Sequence, residues 1–317
     1  MNARYNHFVE PSVRVVSLLP AATEIVAALG FSDWLVGISH ECDYPPEVAR
    51  KPRVTRSHLH SAVLPSADLD REVQSALAAG EPLYHLDEAL IRALQPDFIL
   101  TQQLCDVCAV GYGSVAKFAA TLPGPPRVIT LEPRTLEELF LGILEVGIAF
   151  DALSKGNKLV YQLEKRVRVV RERCAVAESR PGTFLMEWID PPFCAGHWNP
   201  ELVEIAGGQE LIGHTGAPSR RVAWQEVLDA QPEVLVIVCC GYSVERTRQD
   251  MEIARTYPGW DDLPAVRNRR VYLADGTAYF TVPGPRIVDS LEILAQMLHP
   301  ELFPGETEAG EGWTRWE

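Results

Sequence analysis

No run of eighteen apolar residues occurs in this 317-residue chain, so no membrane-spanning helix is expected. Positive charge is in short supply. The 29 Lys and Arg against 43 Asp and Glu leave a net charge of −14, which argues against a phosphate-backbone binder, since that needs a basic face. Residues 1–10 are polar, carry Arg4 and Glu10, and lack an apolar signal core and a small-residue cleavage site. The expected location is therefore the cytoplasm, or the periplasm if a leader has been trimmed. Also missing are G-x-x-x-x-G-K-[ST], G-x-S-x-G and H-E-x-x-H, because His40-Glu41 has no second His at the required spacing. Glu24 is a candidate base without a partner identifiable from spacing. Nothing positive marks an enzyme, and the expectation is a non-catalytic protein.

Hydrophobic residues make up 47% of the chain, enough for a core in each of the two domains that the length suggests. Between them lies a stretch, 154–177, that reads as one long helix. Ser154 is its N-cap candidate. Leu159, Leu163, Val167, Val170 and Cys174 recur at steps of three or four, and Lys165, Arg166, Arg168, Arg171 and Glu172 form the opposite, water-facing side. About 23 residues at 1.5 Å each span roughly 35 Å. The helix is expected to join an N-terminal lobe, 13–150, to a C-terminal lobe, 182–303, with 304–317 a mobile acidic tail.

Both halves alternate strands with helices, the pattern of a parallel sheet covered on both faces. In the first, 13–19, 34–38, 98–101 and 127–131 read as strands. They lead into loops at 20–24, 39–46 and 102–109. In the second, strands at 183–188, 234–239 and 270–274 run into 189–198, 240–243 and 275–280. Loops leaving the carboxyl ends of such strands form the binding edge. The halves also echo each other, since Leu94-Gln95-Pro96-Asp97-Phe98 matches Ala230-Gln231-Pro232-Glu233-Val234. Thr135 and Glu138 have capping-box spacing.

The predicted loops carry the chemistry. Cys105-Asp106-Val107-Cys108 is a C-x-x-C after a strand, whose sulfurs reach one metal ion or each other. With Cys42 and His40 on the neighbouring loop, a four-ligand site for zinc or iron is geometrically allowed; packing and redox roles stay open. Seven cysteines in a chain with no export signal are expected to be reduced thiols. On the second half, His197 and Trp198, with Phe193 and Cys194 nearby, suit a flat conjugated ligand, because aromatic faces stack and imidazole ligates metals. Tyr242, Tyr279 and Phe280 add aromatic surface to the same predicted edge. Arg220, Arg221 and Arg286 are candidates for carboxylates or phosphates of a ligand.

Ser17-Leu18-Leu19-Pro20-Ala21-Ala22-Thr23-Glu24 with Leu29-Gly30 resembles the opening of the helical-backbone (class III) substrate-binding proteins of ABC importers. Gln95-Pro96-Asp97-Phe98-Ile99-Leu100, Ala195-Gly196-His197, Glu204-Ile205-Ala206-Gly207-Gly208 and Val222-Ala223-Trp224-Gln225-Glu226-Val227-Leu228 are similar to later parts of that family. The likeness spans roughly 13–298 and lies nearest the cobalamin-binding branch, in a cytosolic-looking subgroup. It implies an α/β fold of two Rossmann-like lobes with parallel sheets and one backbone helix. It further implies a corrinoid or other metal-chelate held in the cleft between lobes without covalent change, and an ABC transporter permease as partner. The ligand-binding set expected on these grounds is Pro20, Ala21, Thr23, Glu24, His40, Glu41, Tyr44 and Gln103 from the first half. The second half supplies Trp188, His197, Trp198, Tyr242, Tyr279, Phe280 and Arg286. His197, His40 or a cysteine is expected to ligate the chelated metal from one axial side. Two alternatives remain: a metal-binding protein using Cys42, Cys105, Cys108 and His40 directly, and a thiol-dependent enzyme acting on a cofactor.

Overall fold

The structure is a computed structural model and describes residues 13–59, 64–103, 111–303 and 309–316. In chain order its first elements are β1 (Val15–Ser17), α1 (Pro20–Ala28), β2 (Leu35–Ile38), β3 (Thr55–Ser57), α2 (Ser66–Ala79) and β4 (Tyr84–Leu86). There follow α3 (Glu88–Leu94), β5 (Phe98–Thr101), α4 (Tyr112–Ala119), β6 (Arg127–Thr130), α5 (Leu136–Ala149) and α6 (Leu153–Cys174). Next come β7 (Gly182–Trp188), β8 (Phe193–Cys194), α7 (Asn199–Ile205), β9 (Gln209–Glu210), β10 (Arg220–Arg221) and α8 (Trp224–Ala230). The last are β11 (Val234–Ile237), α9 (Val244–Ala254), α10 (Pro264–Arg267), β12 (Val271–Ala274), α11 (Ile287–Leu298), β13 (Ala309–Gly310) and β14 (Trp313–Arg315). The chain forms two units, one of Met1–Ser57 with Tyr84–Leu131 and one of His58–Leu83 with Glu132–Glu317. Residues 66–79 and 136–149 thus pack with the second unit.

In the first unit β1, β2, β5 and β6 make a parallel sheet in the order β2-β1-β5-β6. β1 is central and enclosed, as a strand covered on both faces must be. Residues 20–24 are not the expected loop. Pro20 stands at the first helical position, where its missing N–H loses no bond and its fixed φ suits the helix, so α1 starts at once. Ala21, Ala22, Thr23, Glu24, Ile25 and Val26 are all buried. β3 and β4 form a separate antiparallel pair.

In the second unit β7, β11 and β12 are parallel, and the sheet runs β10-β8-β7-β11-β12-β14-β13 with β9 beside β7. The tail expected to be mobile is ordered over 309–316. β14 returns antiparallel to β12, setting Trp313 opposite Ala274, and Trp313 is buried edge-on to Tyr272. The long helix is present as α6. It starts at Leu153 with Ala152 as an uncapped N-cap, so Ser154 lies inside the first turn. Its buried stripe is Gly156, Val160, Leu163, Val167, Val170 and Cys174, with Val160 taking the place expected for Leu159. Arg166, read as water-facing, instead forks onto α11. Its Nε and Nη2 donate to Glu292 at 2.9 and 2.6 Å, and Nη2 also reaches Asp289.

The echo between the halves has a physical basis. Gln95 and Gln231 both terminate helices in the left-handed region, with φ of 46° and 49°. The acid after each proline accepts an amide at the entry to the neighbouring strand: Asp97 from Arg14 N, just before β1, at 2.8 Å, and Glu233 from Gly182 N, the first of β7, at 2.8 Å. One short word therefore performs the same three tasks in each unit, ending a helix, turning the chain and anchoring the adjacent strand.

Candidate ligand-binding loops

In the first unit β2 ends at Ile38 and passes into the loop 39–46. Arg53, on the return limb, donates from Nη1 to Ser39 O at 2.9 Å and also to Cys42 O, so one guanidinium fixes the loop backbone. Thr55 sits beneath it. Its hydroxyl accepts from His40 N at 2.9 Å, donates to Ser39 Oγ at 3.2 Å and meets His40 Nδ1 at 2.7 Å. Tyr84 packs against the imidazole, ring centroids 5.5 Å apart. His40 is half-buried, and burial followed by the charge of Arg53 lowers its pKa, so the ring is neutral at pH 7. Glu41 keeps 43% of its side chain exposed, yet the protein around it pushes its carboxyl up to about 7. Tyr44 and Gln103 are exposed.

Other expected site residues in this unit turn inward. Thr23 is fully buried, donating to Ser17 Oγ at 2.8 Å and lying 3.1 Å from Cys42 Sγ. Cys42 is 1% exposed, and burial pushes its thiol up to about 11. Cys42 thus lies in the packing of α1 against the loop, in contact with Thr23. Ala21 and Glu24 are buried, and Pro20 is half-buried. Cys105 and Cys108 lie outside the described residues. Among the described residues no three His, Cys, Asp or Glu side chains assemble as a metal site.

In the second unit the strand-end loops interlock. Gly276 N donates to Tyr242 O at 2.8 Å and Gly241 N to Gly276 O at 3.2 Å. A Cβ on Gly276 would stand 2.0 Å from Cys239 O, so this crossing requires glycine. Trp198, Tyr242 and Phe280, expected as surface aromatics, are buried and hold the loops together. Trp198 Nε1 donates to Phe280 O at 2.7 Å, and Phe280 N to Ser290 Oγ at 2.9 Å. Tyr242 stacks under Arg246 and lies 4.9 Å from Trp188, whose Nε1 donates to Ser66 O and Asp190 O. Tyr279 is nearly buried beside Arg286. Cys194 and Cys239 are buried, with their thiols raised by burial.

His197 has a φ of 54°, is half-buried, and stacks on Trp198 at 5.6 Å. Its backbone is clamped by Ala217 O and Gly216 N. Burial and the charge of Arg134 lower its pKa. Surface on this edge therefore belongs to Trp188, His197 and Arg286 rather than to a continuous aromatic wall. Arg53, Thr55 and Arg134 went unread in the sequence. All three are polar residues outside the strand-end loops, and no spacing rule links them to residues 11 or more positions away.

In each of two α/β units the loops leave the carboxyl ends of parallel strands, the edge at which such folds bind ligands. Residues 15–278 match the family described as periplasmic binding protein, and the chain belongs to that family. The vitamin B12-binding protein of Vibrio parahaemolyticus serotype O3:K6 (strain RIMD 2210633) is 26% identical over 288 residues, covering 89% of this chain and 88% of its own length. Among solved structures, the periplasmic heme-binding protein RhuT from Roseiflexus sp. RS-1 in apo form superposes with a TM-score of 0.69 at 23% identity, covering 92% of this chain and 99% of its own. The periplasmic vitamin B12 binding protein BtuF of Vibrio cholerae gives 0.66 at 22% identity, over 93% and 99%. The fold is that of the class III periplasmic binding proteins, a family of transporter substrate-binding proteins rather than enzymes. No helix among the described residues is long and apolar enough to cross a membrane.

Proposed function

We propose that this protein binds a metal-chelate of the corrinoid or haem type through its strand-end loops and presents it, chemically unchanged, to an ABC importer. The observation that carries the reading is the loop after β2. There a half-buried, neutral imidazole is held from behind by Thr55, with Glu41 and Tyr44 exposed beside it. Such a surface suits a ligand that is largely apolar and planar but has a metal at its centre. The names of the relatives support the same class, since they include binders of vitamin B12 and of heme. The direct use of zinc or iron draws no support from Cys42, whose thiol is enclosed.

The test is a titration of the purified protein with aquocobinamide, cyanocobalamin, ferric haem and a ferric siderophore, read by intrinsic tryptophan fluorescence. Saturable quenching at one equivalent by one of these classes is expected. A flat response to all four would rule the reading out.

A further inference from the structure

The loop after β2 positions His40, and its hydrogen bonds also bear on which ring nitrogen carries the proton. Thr55 Oγ has a single hydrogen and two lone pairs. The hydrogen goes to Ser39 Oγ at 3.2 Å, and one lone pair takes His40 N–H at 2.9 Å. With the hydrogen placed there, the remaining 2.7 Å contact with His40 Nδ1 is donated by the ring, with Thr55 accepting. A neutral imidazole protonated at Nδ1 presents a bare lone pair at Nε2. Nε2 makes no hydrogen bond among the described residues. Glu41 Oε1 lies 4.0 Å from it, beyond hydrogen-bond range. An imidazole whose Nδ1–H is held by an oxygen acceptor and whose Nε2 is open has the arrangement of a metal ligand with its supporting shell already in place.

The number of donors decides what kind of metal this nitrogen serves. A bare zinc ion needs about four donors from the protein. Among the described residues no group of three suitable side chains exists, and the acidic side chain recorded beside Nε2 is Glu41, at 4.0 Å. One nitrogen is insufficient for a free cation but suffices for a metal that arrives with four in-plane donors and lacks only an axial one. Building on the function proposed above, we infer that His40 Nε2 is the axial ligand to the metal of the bound chelate, with Thr55 as the positioning residue that sets its tautomer. Binding is then a ligand exchange. The Nε2–metal bond forms, an axial metal–water bond breaks, the water leaves, and no electron or proton changes hands.

The experiment combines two readouts. Nitrogen-15 NMR of the histidine ring in the ligand-free protein should show His40 as the Nδ1–H tautomer; an Nε2–H tautomer overturns the inference before any ligand is added. Absorbance titrations with aquocobinamide and with ferric haem then follow axial exchange at the metal. The wild-type protein should shift the corrin or Soret band of at least one of them to the imidazole-ligated position. In His40→Gly the shift should vanish and affinity fall by about tenfold or more, and free imidazole should restore the band. Thr55→Ser, which keeps the hydroxyl, should retain the shift, while Thr55→Val should weaken it. Unchanged spectra and affinity in His40→Gly, with fluorescence still reporting binding, overturn the axial assignment and leave the binding function standing. Absence of both fluorescence and absorbance responses in the wild-type protein overturns the binding function itself.

Discussion

Arg246 and Asp250, one turn apart on α9, are paired at 2.8 Å and share the anchoring of the segment that opens α2. Arg246 Nη2 donates to Leu64 O at 2.6 Å, and Asp250 Oδ2 accepts from Ser66 N at 3.0 Å. The side chains are 13% and 7% exposed. Breaking a buried pair leaves an uncompensated charge, which is worse than never having built the pair. Asp250→Ala is expected to destabilise the protein by about 3 kcal/mol, measured by urea unfolding. The double variant with Arg246→Met should lose less than the sum of the singles; strict additivity would show that the pair is not coupled.

Trp198 anchors two strand-end loops through a single hydrogen bond. Trp198→Phe retains most of the apolar contact but strands the carbonyl of Phe280, a residue already held at a φ of 64°. A loss of about 1–3 kcal/mol is expected. A variant as stable as the wild type would mean that water replaces the indole N–H.

Gly276→Ala tests the interlock of the same edge. The added methyl would sit 2.0 Å from the Cys239 carbonyl oxygen, which belongs to backbone and has no rotamer to yield. Large destabilisation is expected, above about 3 kcal/mol, in line with other overpacked sites. Gly241→Ala serves as the control. No atom lies within 4 Å of a Cβ placed there, and its penalty should be the smaller one set by a φ of 74° alone.

Glu210 makes stability depend on pH. Its carboxylate accepts Leu185 N, Ile212 N and Gly213 N at 3.2, 3.2 and 3.0 Å, but burial outweighs these bonds and raises its pKa from 4.5 to about 7. Between those values the folded chain binds a proton that the unfolded chain has lost, so stability falls as pH rises through the window and levels off above about 7. The contribution is at most about 3 kcal/mol. Urea midpoints at pH 5 and pH 8 should diverge more for the wild type than for Glu210→Gln. Parallel pH profiles would show that the group titrates normally.

Much of the architecture is legible from periodicity and punctuation. β5 has the bounds that the strand reading predicts, and Thr135 accepts from Glu138 N as its capping spacing requires, although Glu138 reaches back to Arg134 N rather than to Thr135 itself. Where the reading failed, the interaction was either polar or remote. α9 buries Thr247 and Asp250 alongside Met251 and Ala254, so no apolar stripe marks it. β14 joins its sheet through a partner some forty residues earlier in the chain. For the loops, strand ends told where exposed chemistry would lie, but not which side chains face outward. Cys42 and Trp198 look reactive on paper and are enclosed by packing that only the folded chain reveals. His40 depends on Thr55, fifteen positions away, and no local rule joins them.

The matched glutamines at the two helix ends have a practical side. A side chain in the left-handed region costs roughly 1 kcal/mol that glycine avoids. Gln95 and Gln231 lie in separate units and share no partner, so replacing each by glycine draws on an independent reserve. Their gains should add within a few tenths of a kcal/mol. A protein engineer thus has two separate settings for raising the melting temperature, neither of which touches the loop that carries His40.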